Sequence, residues 1–253
     1  MRIEVVTLFP QLVEAGLAVG VLGRAVAKDR VAIGLENPRN HAEDPHRTVD
    51  DRPFGGGPGM VLKAEPLARA VAAVKGRLPE GAPVIGLSAQ GRRFDQGQAR
   101  RLSGLPGFAL VAGRYEGIDQ RATDVLVDEE LSIGDYVLSG GEFPALIVID
   151  AVVRLLPGVL GDDASAQQDS FGDGLLDWPH YTRPEVWDGR PVPPVLLGGN
   201  HAAIRRWRLM QALGSTWQRR PDLVAQRGLT PEERALLEEF CRAAGIDPPR
   251  GTV

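Results

Sequence analysis

The chain has 253 residues, of which 43% are hydrophobic and 25% charged, with a formal net charge of −4. That length and balance exclude a disordered chain and a disulfide-stapled miniprotein, and allow one large domain or two modest ones, each with its own core. The single cysteine, Cys241, leaves no internal disulfide to form, the start "MRIEVV" carries no export pattern, and the longest apolar run, 143–149, stops at Asp150, too short for a bilayer; a soluble cytoplasmic protein is expected.

In chain order, "RIEVVTLF" (2–9) predicts a strand, Pro10 opens a helix, and "RVAIGLE" (30–36) predicts a second strand. "RTVDDRPFGGGPGMV" (47–61) is a charged loop leading into a cluster too rich in glycine for a core strand. It reads either as a long connection or as a segment that closes over a substrate, and loops of this length usually have a task. "EPLARAVAAVKGRL" (65–78) has helical periodicity, while "APVIGLS" (82–88) and "GFALVAG" (107–113) predict strands with a helix, "DQGQARRLSG" (95–104), between them. Such alternation argues for an α/β domain on a mostly parallel sheet. "EFPALIVIDAVVRLL" (142–156) predicts a long buried helix ended by Pro157 and Gly158.

Composition then changes. An α/β domain over 1–160, a flexible polar linker over 161–173 and a small all-helical domain over 174–253 are expected. "NHAAIRRWRLMQALG" starts at an N-cap candidate, Asn200, and "TPEERALLEEF" carries Thr230, Pro231 and Glu233 in a capping box. The tail "GIDPPRGTV" is expected to be disordered. Residues 157–177 hold five aspartates and no basic residue, whereas residues 200–227 hold six arginines against Asp222 alone. A basic surface beside an acidic strip is compatible with RNA binding despite the negative total.

Three glycine-bearing loops, "LSAQGR" (87–92), "AGRYEGID" (112–119) and "SIGDYVLSGGE" (132–142), fall at or after strand ends, where ligands sit in open α/β sheets. None is a phosphate-binding pattern. Gly113, Gly117, Gly134, Gly140 and Gly141 would let backbone approach a ligand, and a pocket lined by backbone groups suits an adenine edge and ribose better than a polyphosphate; tight turns are the alternative. Asp169 by itself reads as a turn residue, and Arg154 as a cation placed for the helix dipole. Arg205, Arg206 and Arg208 flank Trp207 and make either a solvated face or phosphate contacts. The four histidines and Cys241 lack metal-ligand spacing, so zinc is not expected.

"FGGGPGM", "LSAQGR", "AGRYEGID", "SIGDYVLSGGE", "RLLPGVLG", "DSFGDGLLDWPHYTRP" and "VLLGGNHAAIRRWR" stand in the order and spacing of bacterial tRNA (guanine-N1)-methyltransferases, and the chain resembles that SPOUT-class family from residue 1 to about residue 225. Departures are small: Ala89 stands where proline is usual, Ala112 where cysteine is common and Phe54 where tyrosine is common. The resemblance implies an α/β fold with a deep trefoil knot that holds S-adenosylmethionine, a helical tRNA-binding domain, and a homodimer with its active site shared between chains. The cofactor residues it implies are Leu87, Ser88, Gly113, Tyr115, Glu116, Ser132, Ile133, Gly134, Asp135, Tyr136, Val137, Leu138, Gly140 and Gly141, with Glu116 the neighbour for the sulfonium charge. The implied target is N1 of the guanine at tRNA position 37, 3′ of the anticodon. N1 carries a proton at neutral pH, so a base is needed, and charge then develops on O6. Asp169 is the implied base, Arg154 the O6 partner, and Gly59, Arg205 and Arg208 the implied tRNA contacts. The family is magnesium-assisted, although no ligand set is legible in this sequence. The rival expectations are a SPOUT enzyme acting on another RNA site and an RNA-binding assembly factor without activity. Asp169 and the helical C-terminal region count against the first, and the intact glycine loops against the second.

Overall fold

Short β-branched runs separated by amphipathic helices dictate the N-terminal architecture. The structure is a computed structural model and describes residues 1–161 and 169–248. Residues 162–168 of the expected linker and 249–253 of the expected disordered tail lie outside the described residues. The chain divides into two compact units, Met1–Asp163 and Ala164–Val253.

The first unit runs β1 (Arg2–Val6), α1 (Pro10–Leu17), α2 (Gly20–Ala27), β2 (Ala32–Glu36), β3 (Asp50–Asp51), β4 (Val61–Leu62), α3 (Ala64–Lys75), β5 (Val84–Arg93), α4 (Gln96–Ser103), β6 (Gly107–Ala112), α5 (Gln120–Leu126), β7 (Glu129–Ser132) and α6 (Glu142–Val153). Five strands make a parallel sheet in the order β2-β1-β6-β5-β7, and β3 and β4 pair as a separate antiparallel ribbon. Strand alternation splits the core in two. Phe108 and Leu110 of β6 pack with Ile3, Ile85 and the α6 residues Val148, Ile149 and Val152. Ala109 and Val111 pack on the other face with Leu67, Ala70, Val71 and Val74 of α3. The helix α6 carries seven buried residues, as its nearly unbroken apolar sequence requires. β5 runs past the expected end of its strand, with a register shift against β7 between Leu87 and Arg92.

Two carboxylates are fully buried in this unit. Glu4 accepts from Nε and Nη2 of Arg77 at 3.0 and 2.8 Å. Glu142, the first residue of α6, accepts 2.8 Å bonds from Thr7 Oγ1 and from Arg114 Nε. Arg114 also donates to the Ser139 carbonyl at 2.9 Å, and its guanidinium lies 4.5 Å over the Phe9 ring. A carboxylate at a helix N-terminus is favoured by the dipole. Here it also ties together the segments that leave β1, β6 and β7.

The second unit opens with an irregular stretch containing a hairpin of β8 (Val186–Trp187) and β9 (Arg190–Pro191), followed by α7 (His201–Arg219), α8 (Pro221–Arg227) and α9 (Pro231–Ala244). The expectation of helix alone is therefore corrected over 174–200. Five prolines (Pro179, Pro184, Pro191, Pro193 and Pro194) deny that stretch backbone donors. Asp188 and Gly189, at φ of 50° and 70°, supply the positive-φ pair that a tight hairpin turn needs. Asn200 caps α7 through Ala203 N–H at 3.1 Å, and Thr230 with Glu233 closes the capping box of α9. Leu213, Leu236, Leu237 and Cys241 form the core, with Leu175 wedged among them. No helix among the described residues is long and apolar enough to cross a membrane.

Glu142→Ala leaves Arg114 facing an emptied buried site and is expected to lower stability by about 3 kcal/mol. A urea titration followed by circular dichroism measures this, and an unchanged midpoint would show the buried pair to be energetically idle.

Candidate active site

The carboxyl ends of β5, β6 and β7 converge on a cleft of about 470 Å³, the size and position of a small-molecule site in an open α/β sheet. Loop 113–119 forms one wall. It is stitched to the β4 ribbon by Glu116 N–H to the Met60 carbonyl (2.9 Å), Leu62 N–H to the Gly117 carbonyl (2.9 Å) and Asp119 N–H to the Leu62 carbonyl (3.0 Å). The opposite wall, 132–138, closes on itself: Gly134 N–H donates to Ser132 Oγ at 3.2 Å, and the Tyr136 hydroxyl donates to the Ile133 carbonyl at 3.3 Å. Gly141 N–H reaches the Gly113 carbonyl at 2.9 Å and joins the two walls. That crossing tolerates glycine alone, since a Cβ on Gly141 would stand 2.6 Å from the Ala112 Cα.

Every cofactor residue expected from the sequence lines this cleft except Asp135, which lies on the same loop but outside the lining. Tyr115, Tyr136, Val137 and Leu138 present exposed apolar surface at its mouth. Among the described residues no lysine lines it, and Arg114 is committed to Glu142 and Ser139, so the cleft is a backbone-rich chamber whose lining carboxylates are Glu116 and Glu130. Tyr115 holds φ +63°, uncommon for a non-glycine residue, with its hydroxyl 3.5 Å from an Arg39 nitrogen. Burial, and then the Asp50 carboxylate beside it, raise the Tyr115 hydroxyl above its ordinary pKa and keep it protonated. Gly59 lies directly under the Glu116 carboxylate, and a side chain there would collide with it. The glycine-rich loop and loop 113–119 thus meet at these two residues.

Arg154 caps the carboxyl end of α6, its N–H 3.2 Å from the Asp150 carbonyl, and is half-buried outside the lining of this cleft. Asp169, Arg205 and Arg208 come together in the second unit, where with Asp173, Asp177 and Trp178 they line a cleft of about 240 Å³. The Arg208 guanidinium lies 4.9 Å over the Trp178 ring, and its Nε is buried without a hydrogen-bond partner among the described residues. The basic surface is narrower than its composition suggests. Arg206, Arg220 and Arg227 are paired with Glu239, Asp222 and Glu233. Sequence reasoning missed Arg114, whose partner lies 28 residues away, and Trp178, which nothing but the fold brings under Arg208.

A parallel α/β unit with a glycine-walled cleft at its strand ends, lined by no lysine among the described residues, has the architecture of an open α/β domain with a small-molecule site. A family model described as tRNA (Guanine-1)-methyltransferase TrmD matches residues 1–226. The chain is 60% identical over 251 residues to the tRNA (guanine-N(1)-)-methyltransferase of Methylococcus capsulatus, covering 99% of this chain and 100% of that protein. It is 59% identical over 238 residues to the protein of the same name from Coxiella burnetii, covering 94% and 96%, and 56% identical over 243 residues to that of Aromatoleum aromaticum, covering 94% and 92%. The chain belongs to the tRNA (guanine-1)-methyltransferase family.

Gly55 and Gly59 share a positive φ, +87° and +81°, but open space surrounds the first while the second meets Glu116. Gly59→Ala is therefore expected to cut methyl transfer at least about tenfold, the rate equivalent of 1.4 kcal/mol, with Gly55→Ala close to wild type. Equal activities would remove the Gly59–Glu116 contact from the site.

Proposed function

We propose that the protein transfers a methyl group from S-adenosylmethionine to N1 of the guanine at position 37 of tRNA. The observation that carries this reading is the glycine-walled cleft at the strand ends, in a chain 60% identical along nearly its whole length to a protein named for that chemistry. The cleft suits the cofactor: the exposed rings and aliphatic groups at its mouth fit a nucleoside, backbone groups fit its polar edge, and Glu116 offers a carboxylate to a sulfonium. When bound, S-adenosylmethionine supplies a methyl group activated by that charge.

The protein's own groups supply the rest. The Asp169 carboxylate takes the N1 proton of guanine, and the Arg154 guanidinium offsets the charge that develops on O6. Gly59 borders the guanine, and Arg205 and Arg208 hold tRNA phosphates from the second unit, the tRNA-binding domain. Two glycine-only crossings, Gly141 against Ala112 and Gly91 against the backbone of Glu130 and Leu131, support the family's trefoil knot. Phe143 and Ile147, one turn apart on α6, are 53% and 45% exposed and form an apolar face that a second copy would cover. This face supports a homodimer; Asp169 of one chain then serves the cofactor cleft of the other, in an enzyme of the cytoplasm. Among the described residues no three His, Cys, Asp or Glu side chains gather as a site for the magnesium ion that the resemblance implies.

Unmodified tRNA transcripts incubated with S-adenosylmethionine are expected to yield 1-methylguanosine at position 37 by nucleoside mass spectrometry. Methyl on a ribose, or none at all, would overturn the reading. Asp169→Asn is expected to slow transfer by about 10²-fold or more, with cofactor affinity unchanged in calorimetry. Refolding the inactive Asp169→Asn and Gly141→Trp variants together is expected to return about a quarter of wild-type activity, since random pairing makes about half the dimers mixed, each with one intact site. No recovery, with mixed dimers confirmed by mass, would reject the shared site.

A further inference from the structure

We propose that Thr216 and Arg227 are positioning residues that hold the turn bearing Asp169 in its reactive geometry, an inference that rests on Asp169 being the base. Segment 169–177 folds back on itself. Gly172 N–H donates to the Asp169 carbonyl at 2.9 Å, Phe171 N–H to the Leu175 carbonyl at 2.7 Å, and Asp177 N–H to Ser170 Oγ at 3.0 Å. Phe171 at φ +68° and Gly174 at φ +89° make its reversals. Such a loop has too little apolar surface to hold one conformation alone, and Leu175, 2% exposed, is its sole fully buried anchor among the described residues.

Two polar anchors complete it, both on helices of the second unit. Thr216 lies on α7 with 0% exposure, and its hydroxyl donates to the Ala212 carbonyl at 2.6 Å while accepting from Leu176 N–H at 2.8 Å. The first bond aims the hydroxyl proton back along the helix and leaves a lone pair for the loop amide. A buried hydroxyl that served only helix packing would be replaceable by a methyl group, so the bond to the loop is what its polarity adds. Arg227, at the end of α8, donates to the Asp173 carbonyl at 2.7 Å. Its other nitrogens bind Glu233 at 2.6 and 3.1 Å, and Glu233 is the N3 residue of the α9 capping box. The Arg227 guanidinium holds the Glu233 carboxyl below the usual carboxylate range, so the clamp stays ionised at neutral pH. A continuous path of polar contacts, part-buried between Arg227 and Glu233 and exposed between Arg227 and the Asp173 carbonyl, therefore runs from the start of α9 to the turn at Asp169.

Misplacing a reacting group by about 1 Å costs up to about 10²-fold in rate without weakening the binding of either reactant. Thr216→Val keeps the shape and removes the hydroxyl. It is expected to lower kcat by about ten- to a hundredfold, with KM for tRNA and for S-adenosylmethionine within about twofold of wild type. Thr216→Ser is expected to restore kcat, which simple loss of packing would not allow, and Arg227→Gln is expected to mimic Thr216→Val. Circular dichroism establishes that each variant is folded; if Thr216→Val is not, Arg227→Gln decides by the same kcat and KM criterion. Folded variants with wild-type kcat, or a failure of serine to rescue, would overturn the proposal. Asp169→Asn run in parallel separates the two ideas. If it is inactive while Thr216→Val and Arg227→Gln are fully active, positioning alone fails; if it retains activity, the assignment of the base fails first.

Discussion

The N-terminal unit depends on one buried carboxylate. Glu142 has no access to water and would be prohibitively costly alone, yet it sits where the dipole of α6 favours it and where Thr7 and Arg114 satisfy it. Because those partners lie just beyond β1 and β6, and Arg114 also grips the Ser139 carbonyl, satisfying one charge fixes the paths of three loops. The cleft is what remains between them. The same bond engages the one arginine that lines the cleft among the described residues, and leaves backbone groups with the Glu116 and Glu130 carboxylates in the lining.

The second unit uses the same physics on a smaller scale. The turn that carries Asp169 takes its order from two helices through single polar bonds, one part-buried at Thr216 and one exposed at Arg227. In both units the proposed functional segments are loops, and their order comes in large part from side chains on regular elements.

That division explains what could be read in advance. Pro10, Asn200 and the Thr230–Glu233 capping box act through near neighbours and appear in the structure as the sequence suggests. β7, in contrast, reads "EELS", with two glutamates and no apolar alternation, and becomes a strand because β5 offers it an edge. The hairpin at Asp188 and Gly189 carried a usable turn signal that the proline-rich surroundings masked. The glycine loops marked the walls of the cleft, yet they could not say that Asp135 would stand outside the lining. Arg114 and Thr216 were invisible for a simple reason: their partners lie 28 and 40 residues away, and local pattern holds no record of such pairs.

The claim that one buried ion pair shapes the cleft proposed for the cofactor is tested most directly by calorimetric titration of S-adenosylmethionine into two folded variants. Arg114→Met breaks the pair at the cleft, and Arg77→Met removes one of the two arginines paired with buried Glu4 elsewhere in the sheet, Arg2 being the other. The account expects Arg114→Met to weaken binding by about tenfold or more, some 1.4 kcal/mol, with Arg77→Met near wild type. Wild-type affinity in a folded Arg114→Met variant, or equal losses in both, would contradict it.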